Sequence, residues 1–120
     1  MPTITHRLMV SPQLFDVATR AIRAYSLANG RFGSVNAVAE WAVNRIKKRC
    51  FVLEHLIDML DCAEVAGPIG VTLKVDQSWT EQFQNVKRGL ESQLGRAVTA
   101  RHVLCVLLNF ALENLEPRQP

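Results

Sequence analysis

Long apolar runs are missing from this chain. The longest unbroken one is Val103–Leu108, far short of the roughly 20 residues that a membrane-spanning helix needs. A transmembrane segment is therefore not expected. Met1–Arg7 has no charged-then-apolar leader pattern, so a cytoplasmic protein is expected. Cysteine is scarce and odd in number: Cys50, Cys62 and Cys105 do not make a disulfide framework and fit a reducing compartment. Cys50, His55 and Cys62 share a segment without any standard metal spacing, and His102 and Cys105 lie on another, so no metal is expected. A phosphate-cradling glycine loop, a nucleophile elbow and an acid pair at a recognisable spacing are all lacking. These absences point away from an enzyme, and no cofactor is expected.

What is present fits one globular domain: 120 residues, 48% of them apolar and 21% charged. Beyond that, the chain repeats itself. A shift of 65 residues without a gap places Ile4 on Ile69, Leu8 on Leu73, Val10 on Val75, Arg23 on Arg88, Gly30 on Gly95, Arg31 on Arg96, Val38 on Val103 and Asn44 on Asn109. At other positions the residue changes but its character holds, with Ser11 on Asp76, Leu14 on Trp79 and Ser34 on Thr99. The matched positions are the structurally demanding ones: helix caps, helix-ending glycines and core sites.

Each half reads as strand, helix, turn, helix. In the first strand Ile4, His6, Leu8 and Val10 alternate with Thr5, Arg7 and Met9; in the second Ile69, Val71, Leu73 and Val75 alternate with Gly70, Thr72 and Lys74. A period of two means one buried and one exposed face. His6, on the inward set, is expected to be at least partly buried with a hydrogen-bond partner. Ser11-Pro12 and Asp76 then signal helix starts. Trp79, Phe83, Val86, Leu90 and Leu94 make an apolar stripe, with Leu14, Ala18, Ala21, Tyr25 and Ala28 as a weaker version. Gly30 and Gly95 close these helices, and Ser34 and Thr99 cap the next pair. The last helix is apolar nearly all round and belongs at the centre of the core. Between the halves, Cys50–Pro68 has apolar residues at helical spacing and ends in Ala66-Gly67-Pro68, a helix stop and turn.

This order, with Asn29-Gly30-Arg31 before a capping Ser34 and Gly95-Arg96 before Thr99, resembles the ribbon-helix-helix DNA-binding superfamily of the Arc, MetJ and CopG type. Members usually dimerise, because one copy has a single strand and half a core. A chain carrying both copies resembles a single-chain pseudo-dimer, as in the tandem-repeat TraY-like and VirC2-like accessory proteins of DNA transfer. The resemblance implies a mainly α fold with a short two-stranded antiparallel β-ribbon, built from two fused ribbon-helix-helix repeats. The divisions are a first repeat over 3–49, an acidic helical connector over 50–68, a second repeat over 69–115 and a tail over 116–120. Two departures stand out: the first helix of each half is about one turn longer than is usual in the family, and extra residues separate glycine from cap.

A two-stranded ribbon fits the major groove, where base edges offer a readable pattern. With the apolar members inward, Thr5, Arg7, Met9, Thr72 and Lys74 are the expected base-contacting residues. Gly70 offers no side chain, which implies an asymmetric site. The capped N-termini of the second helices attract phosphate, so Ser34 and Val35, Thr99 and Ala100, and the nearby Arg31 and Arg96 are the expected phosphate contacts. Arg45, Lys47, Lys48 and Arg49 sit at a helix C-terminus, where cations are favourable without any partner.

The expected function is sequence-specific binding of double-stranded DNA, as a transcriptional regulator such as a repressor, or as an accessory factor of plasmid or mobile-element transfer, with copies associating on neighbouring sites. The rival reading is a protein-interaction module that keeps the scaffold, does not read DNA, and docks a protein partner on the acidic connector through Glu54, Asp58, Asp61 and Glu64. The connector's four acids and no lysine or arginine make −4, so in a chain of net charge +3 the rest carries +7. A mildly basic average conceals a more basic pair of repeats.

Overall fold

The computed structural model describes residues 4–46 and 67–115. Along the chain these form β1 (Ile4–Val10), α1 (Pro12–Asn29), α2 (Val35–Ile46), β2 (Ile69–Val75), α3 (Gln77–Leu94) and α4 (Ala100–Leu115). The described chain is thus mainly helical, with one two-stranded antiparallel sheet. Bounds recur along it: 65 residues separate both ends of β1 from those of β2, and both ends of α1 from those of α3. The expected connector helix, the run Lys47–Arg49 and the tail 116–120 lie outside the described residues, apart from Gly67 and Pro68, which lead into β2. No helix among the described residues is long and apolar enough to cross a membrane.

Local chemistry sets the helix ends. The Ser11 hydroxyl accepts from the Leu14 N–H at 3.0 Å to start α1, and an Asp76 carboxylate oxygen accepts from the Gln77 N–H at 2.7 Å to start α3. Both helices stop at a glycine in the left-handed region, Gly30 at φ 66° and Gly95 at φ 70°. A side chain there would meet the following carbonyl, which only glycine avoids at no cost.

Helix α4 is the centre of the core. Every residue from Val103 to Leu108 is buried, as are Phe110, Ala111 and Leu112. It packs against α1 on one side and α2 on the other, and α2 also contacts α3. The stripe of α1 buries Leu14, Ala18, Ala21 and Tyr25 as the spacing requires, and Ala24 joins it. Ala28 is exposed, contrary to expectation. The last turn of α1 runs past the core, so spacing still names the face but nothing remains to cover it. On α3, Trp79, Phe83 and Leu90 are buried, while Val86 and Leu94 are only partly covered.

The strands pair as Ile4 with Val75, Thr5 with Lys74, His6 with Leu73, Arg7 with Thr72, Leu8 with Val71, Met9 with Gly70 and Val10 with Ile69. Two strands alone are marginal in water. Here the inner face holds them on the helices through Leu8, Val10, Leu73 and Val75, all buried. A one-residue slip of either strand would turn its buried pair to solvent and bring Arg7 or Lys74 inward, so burial rules out such a slip.

Candidate nucleic-acid interface

The register gathers Thr5, Arg7, Met9, Gly70, Thr72 and Lys74 on one face of the ribbon, and all six are exposed. Arg7 and Thr72 make the middle pair, Thr5 and Lys74 one end, Met9 and Gly70 the other. The five residues expected from alternation to face outward do so together with Gly70, as one continuous polar surface with Met9 at its end.

The ribbon edges are clasped by the two inner helices. The Lys74 N–H donates to Asn36 Oδ1 at 2.8 Å, and Arg101 Nη1 donates to the Met9 carbonyl at 3.1 Å. The Met9 carbonyl also accepts from the Gly67 N–H at 3.3 Å, and the Lys74 N–H, bonded to Asn36, points away from the partner strand. That makes Thr5–Lys74, Arg7–Thr72 and Met9–Gly70 the closer, non-hydrogen-bonded kind of antiparallel pair, with Cα atoms about 4.5 Å apart and side chains near each other. Neither Asn36 nor Arg101 is singled out by motif or spacing. The one signal is that the 65-residue shift places one on the other, two residues after each cap.

The same clasps set the N-termini of α2 and α4 beside the ribbon. Asn36, two residues after the Ser34 cap, bonds the β2 edge, and Arg101, two residues after Thr99, bonds the β1 edge. At α2, the Ser34 hydroxyl accepts from the Ala37 N–H at 3.2 Å. The first N–H groups of the helix, those of Val35 and Asn36, have no acceptor within it. At α4 the cap is reciprocal: the His102 N–H donates to Thr99 Oγ1 at 3.4 Å, and the Thr99 N–H donates to His102 Nδ1 at 3.1 Å. The histidine takes the place of the usual glutamate in a capping box. One amide that would otherwise point outward is thus occupied, and the two helix starts are chemically unequal.

The loops before these caps are tied back to the preceding helices. The Gly33 N–H donates to Ser26 Oγ at 2.8 Å, and the Val98 N–H donates to Glu91 Oε2 at 3.1 Å. Gly33 has no room for a side chain, since a Cβ would stand 2.5 Å from Tyr25 Cδ1. Arg31 is exposed in the first of these loops, and Arg96 in the second. Phe32, beside Arg31, is wholly exposed at 101%.

His6 is half-buried behind the outer face, with its ring stacked 5.6 Å from that of Phe83. Among the described residues this ring contact is what holds it, and the expected hydrogen bond is not seen there. Burial, and then the charge of Lys87, lower its pKa from the ordinary value. Cys105 is buried in α4, and burial pushes its thiol up to about 11 although the Asn109 amide donates to its sulfur at 3.5 Å. Such a thiol is a packing group and not a nucleophile. Cys50, His55 and Cys62 lie outside the described residues.

No protein-family model, curated protein or solved structure matches the chain. What the surface can do is then decided by its own residues. An exposed two-stranded ribbon with an arginine at its middle and a lysine at one end, flanked by two helix starts, suits a polyanion with a groove.

Proposed function

We propose that the chain is a sequence-specific double-stranded DNA-binding protein that reads bases through the β-ribbon, acting as a transcriptional regulator or as an accessory factor of plasmid or mobile-element transfer. The carrying observation is the register, which puts Thr5, Arg7, Met9, Thr72 and Lys74 on one exposed face between two helix N-termini. A ribbon of this width enters the major groove. Arg7 then offers two parallel donors to O6 and N7 of guanine, and Lys74 offers one. Ser34 and Val35, with Arg31, fix the position on phosphate at one rim; Thr99 and Ala100, with Arg96, do so at the other.

Two fused ribbon-helix-helix copies, forming a pseudo-dimer within one chain, are part of the same proposal. The register supports it. If the copies are related by a twofold axis, the central pair must join the same position of each copy, and Arg7 and Thr72 are separated by the repeat spacing of 65 residues. Side-chain contacts support it as well. Ser26 with Gly33 recurs as Glu91 with Val98, and Asn36 with Lys74 recurs as Arg101 with Met9, each at the same spacing. α2 also touches β2 while α4 touches β1, the crossed packing of an intertwined pair.

The test is a selection of bound duplexes from a random pool, followed by the double variant Arg7→Ala/Lys74→Ala. The variant is expected to unfold cooperatively like the parent and to lose the distinction between selected and random DNA. Undiminished discrimination would sink the proposal.

A second reading, a protein-interaction module on the same scaffold, has one observation in its favour. Leu27 and Phe32 are exposed apolar residues around the α1–α2 turn, where the 65-residue shift places Ser92 and Ala97 in the other half. Titrating random DNA against salt separates the two: phosphate neutralisation makes affinity fall steeply as salt rises, whereas no binding even at low salt favours the interaction module.

A further inference from the structure

We infer that the ribbon is polar, so that it reads DNA in one orientation only: its Lys74 end selects guanine, and its Met9–Gly70 end selects the methyl group of thymine. The inference rests on the DNA-binding reading above and adds which bases the two ends prefer.

The two ends differ in where each keeps its cation. At one end Lys74 stands on the outer face opposite Thr5, and the neighbouring helix start reaches the strand through neutral Asn36. At the other end the face carries Met9 opposite Gly70, and the helix start reaches the strand through Arg101. One end therefore presents its positive charge to the floor of the groove, and the other holds it at the rim, on the phosphate side. Met9 is half exposed at 49%. A Cβ built on Gly70 would lie 3.9 Å from Met9 Sδ. The thioether thus leans across the strand into space that a side chain at position 70 would share. Cation and hydroxyl at one end suit the O6 and N7 acceptors of guanine; an unbranched thioether over bare backbone suits the thymine methyl. Across a twofold axis, position 9 is equivalent to 74 and position 70 to 5, so no symmetric pair of half-sites satisfies both ends.

The experiment starts from duplexes selected from a random pool with the full chain. Each base pair of the selected site is then replaced in turn, and each thymine is replaced by uracil, which removes only the methyl group. Replacing guanine on one side is expected to lower affinity about tenfold or more, and Lys74→Ala removes that dependence. On the other side one thymine-to-uracil change is expected to lower affinity about fourfold, the worth of one buried carbon. Met9→Ala removes the uracil effect and leaves the guanine dependence on the other side intact. Gly70→Thr, which meets only ordinary contact with Met9 and suits a strand, lifts Met9 and reduces the uracil effect without unfolding the chain. A substitution profile symmetric about its centre, or a uracil effect that survives Met9→Ala, overturns the inference while leaving DNA binding standing. Failure to enrich any sequence overturns both.

Discussion

Arg101 and Met9 stand 92 residues apart in sequence, yet the guanidinium of one donates to the carbonyl of the other at 3.1 Å. With the Asn36–Lys74 bond on the other edge, it fastens the ribbon to both inner helices at points that hydrophobic burial does not reach. Each bond is exposed, so water competes for it and its net worth is about 1 kcal/mol. Arg101→Ala and Asn36→Ala are each expected to lower unfolding free energy by about that amount in urea titrations. The double variant should lose the sum, since the two bonds share no partner. An unchanged midpoint in either single variant would show that its clasp does not persist in solution.

The glycines offer a graded test of packing, because the surroundings of each differ. Gly89 sits exposed within α3 with nothing within 4 Å of an added Cβ. Gly89→Ala should raise stability by up to about 1 kcal/mol through helix propensity and a less free unfolded chain. Gly30 also has open space but holds φ 66°, so Gly30→Ala should cost about 1–2 kcal/mol in strain. At Gly67 a Cβ would lie 2.5 Å from Ser11 Cα and 2.7 Å from the Val10 carbonyl oxygen. Those atoms are backbone and cannot swing aside. Gly67→Ala should therefore be the most damaging of the three, and thermal melts that rank it above Gly30→Ala in stability would contradict the packing at the end of β1.

The coarse class was legible in the sequence because its signals are local. Alternation over Ile4–Val10 and Ile69–Val75 marks strands, and Ser11-Pro12, Asp76, Gly30 and Gly95 mark helix ends through the chemistry of a few neighbouring atoms. The outward set on the ribbon followed from the same alternation. The register did not, since either strand can slide by two residues and keep its apolar face inward; the caps and packing of α2 and α4 decide it. Asn36 and Arg101 escaped notice because their partners lie 38 and 92 residues away, and no local pattern encodes such a contact. His102 was hidden for another reason: its place in the Thr99 cap is one that glutamate or glutamine ordinarily fills.

His6 links the pH response to the inner face of the ribbon. Its folded pKa lies below the ordinary 6.5, first because burial disfavours the imidazolium and then because Lys87 repels it. The unfolded chain therefore takes up this proton more readily than the folded one. The contribution of His6 is fully present above its unfolded value and falls away as pH drops through 6.5 toward the lower folded pKa. Urea midpoints measured from pH 7.5 to 5 should decline. His6→Leu, which keeps an apolar group against Phe83, should flatten that decline. An equally steep decline in His6→Leu would assign the pH response to other groups.

Arg7 and Arg31 are both exposed arginines, but the fold gives them different tasks under the proposed function. Arg7 is centred on the ribbon face, paired with Thr72, where it meets base edges. Arg31 follows Gly30 in the turn before the Ser34 cap, where it meets the phosphate rim. Arg7→Ala should cost about 1–3 kcal/mol on a selected duplex and relax the preference at one base pair, with little change on random DNA. Arg31→Ala should weaken selected and random duplexes alike and reduce the slope of log affinity against log salt by about 1. Titrations of both duplexes at several salt concentrations measure all of these quantities at once. If Arg31→Ala alters base preference while Arg7→Ala only lowers the salt slope, the groove is being read by the α1–α2 turn and not by the ribbon.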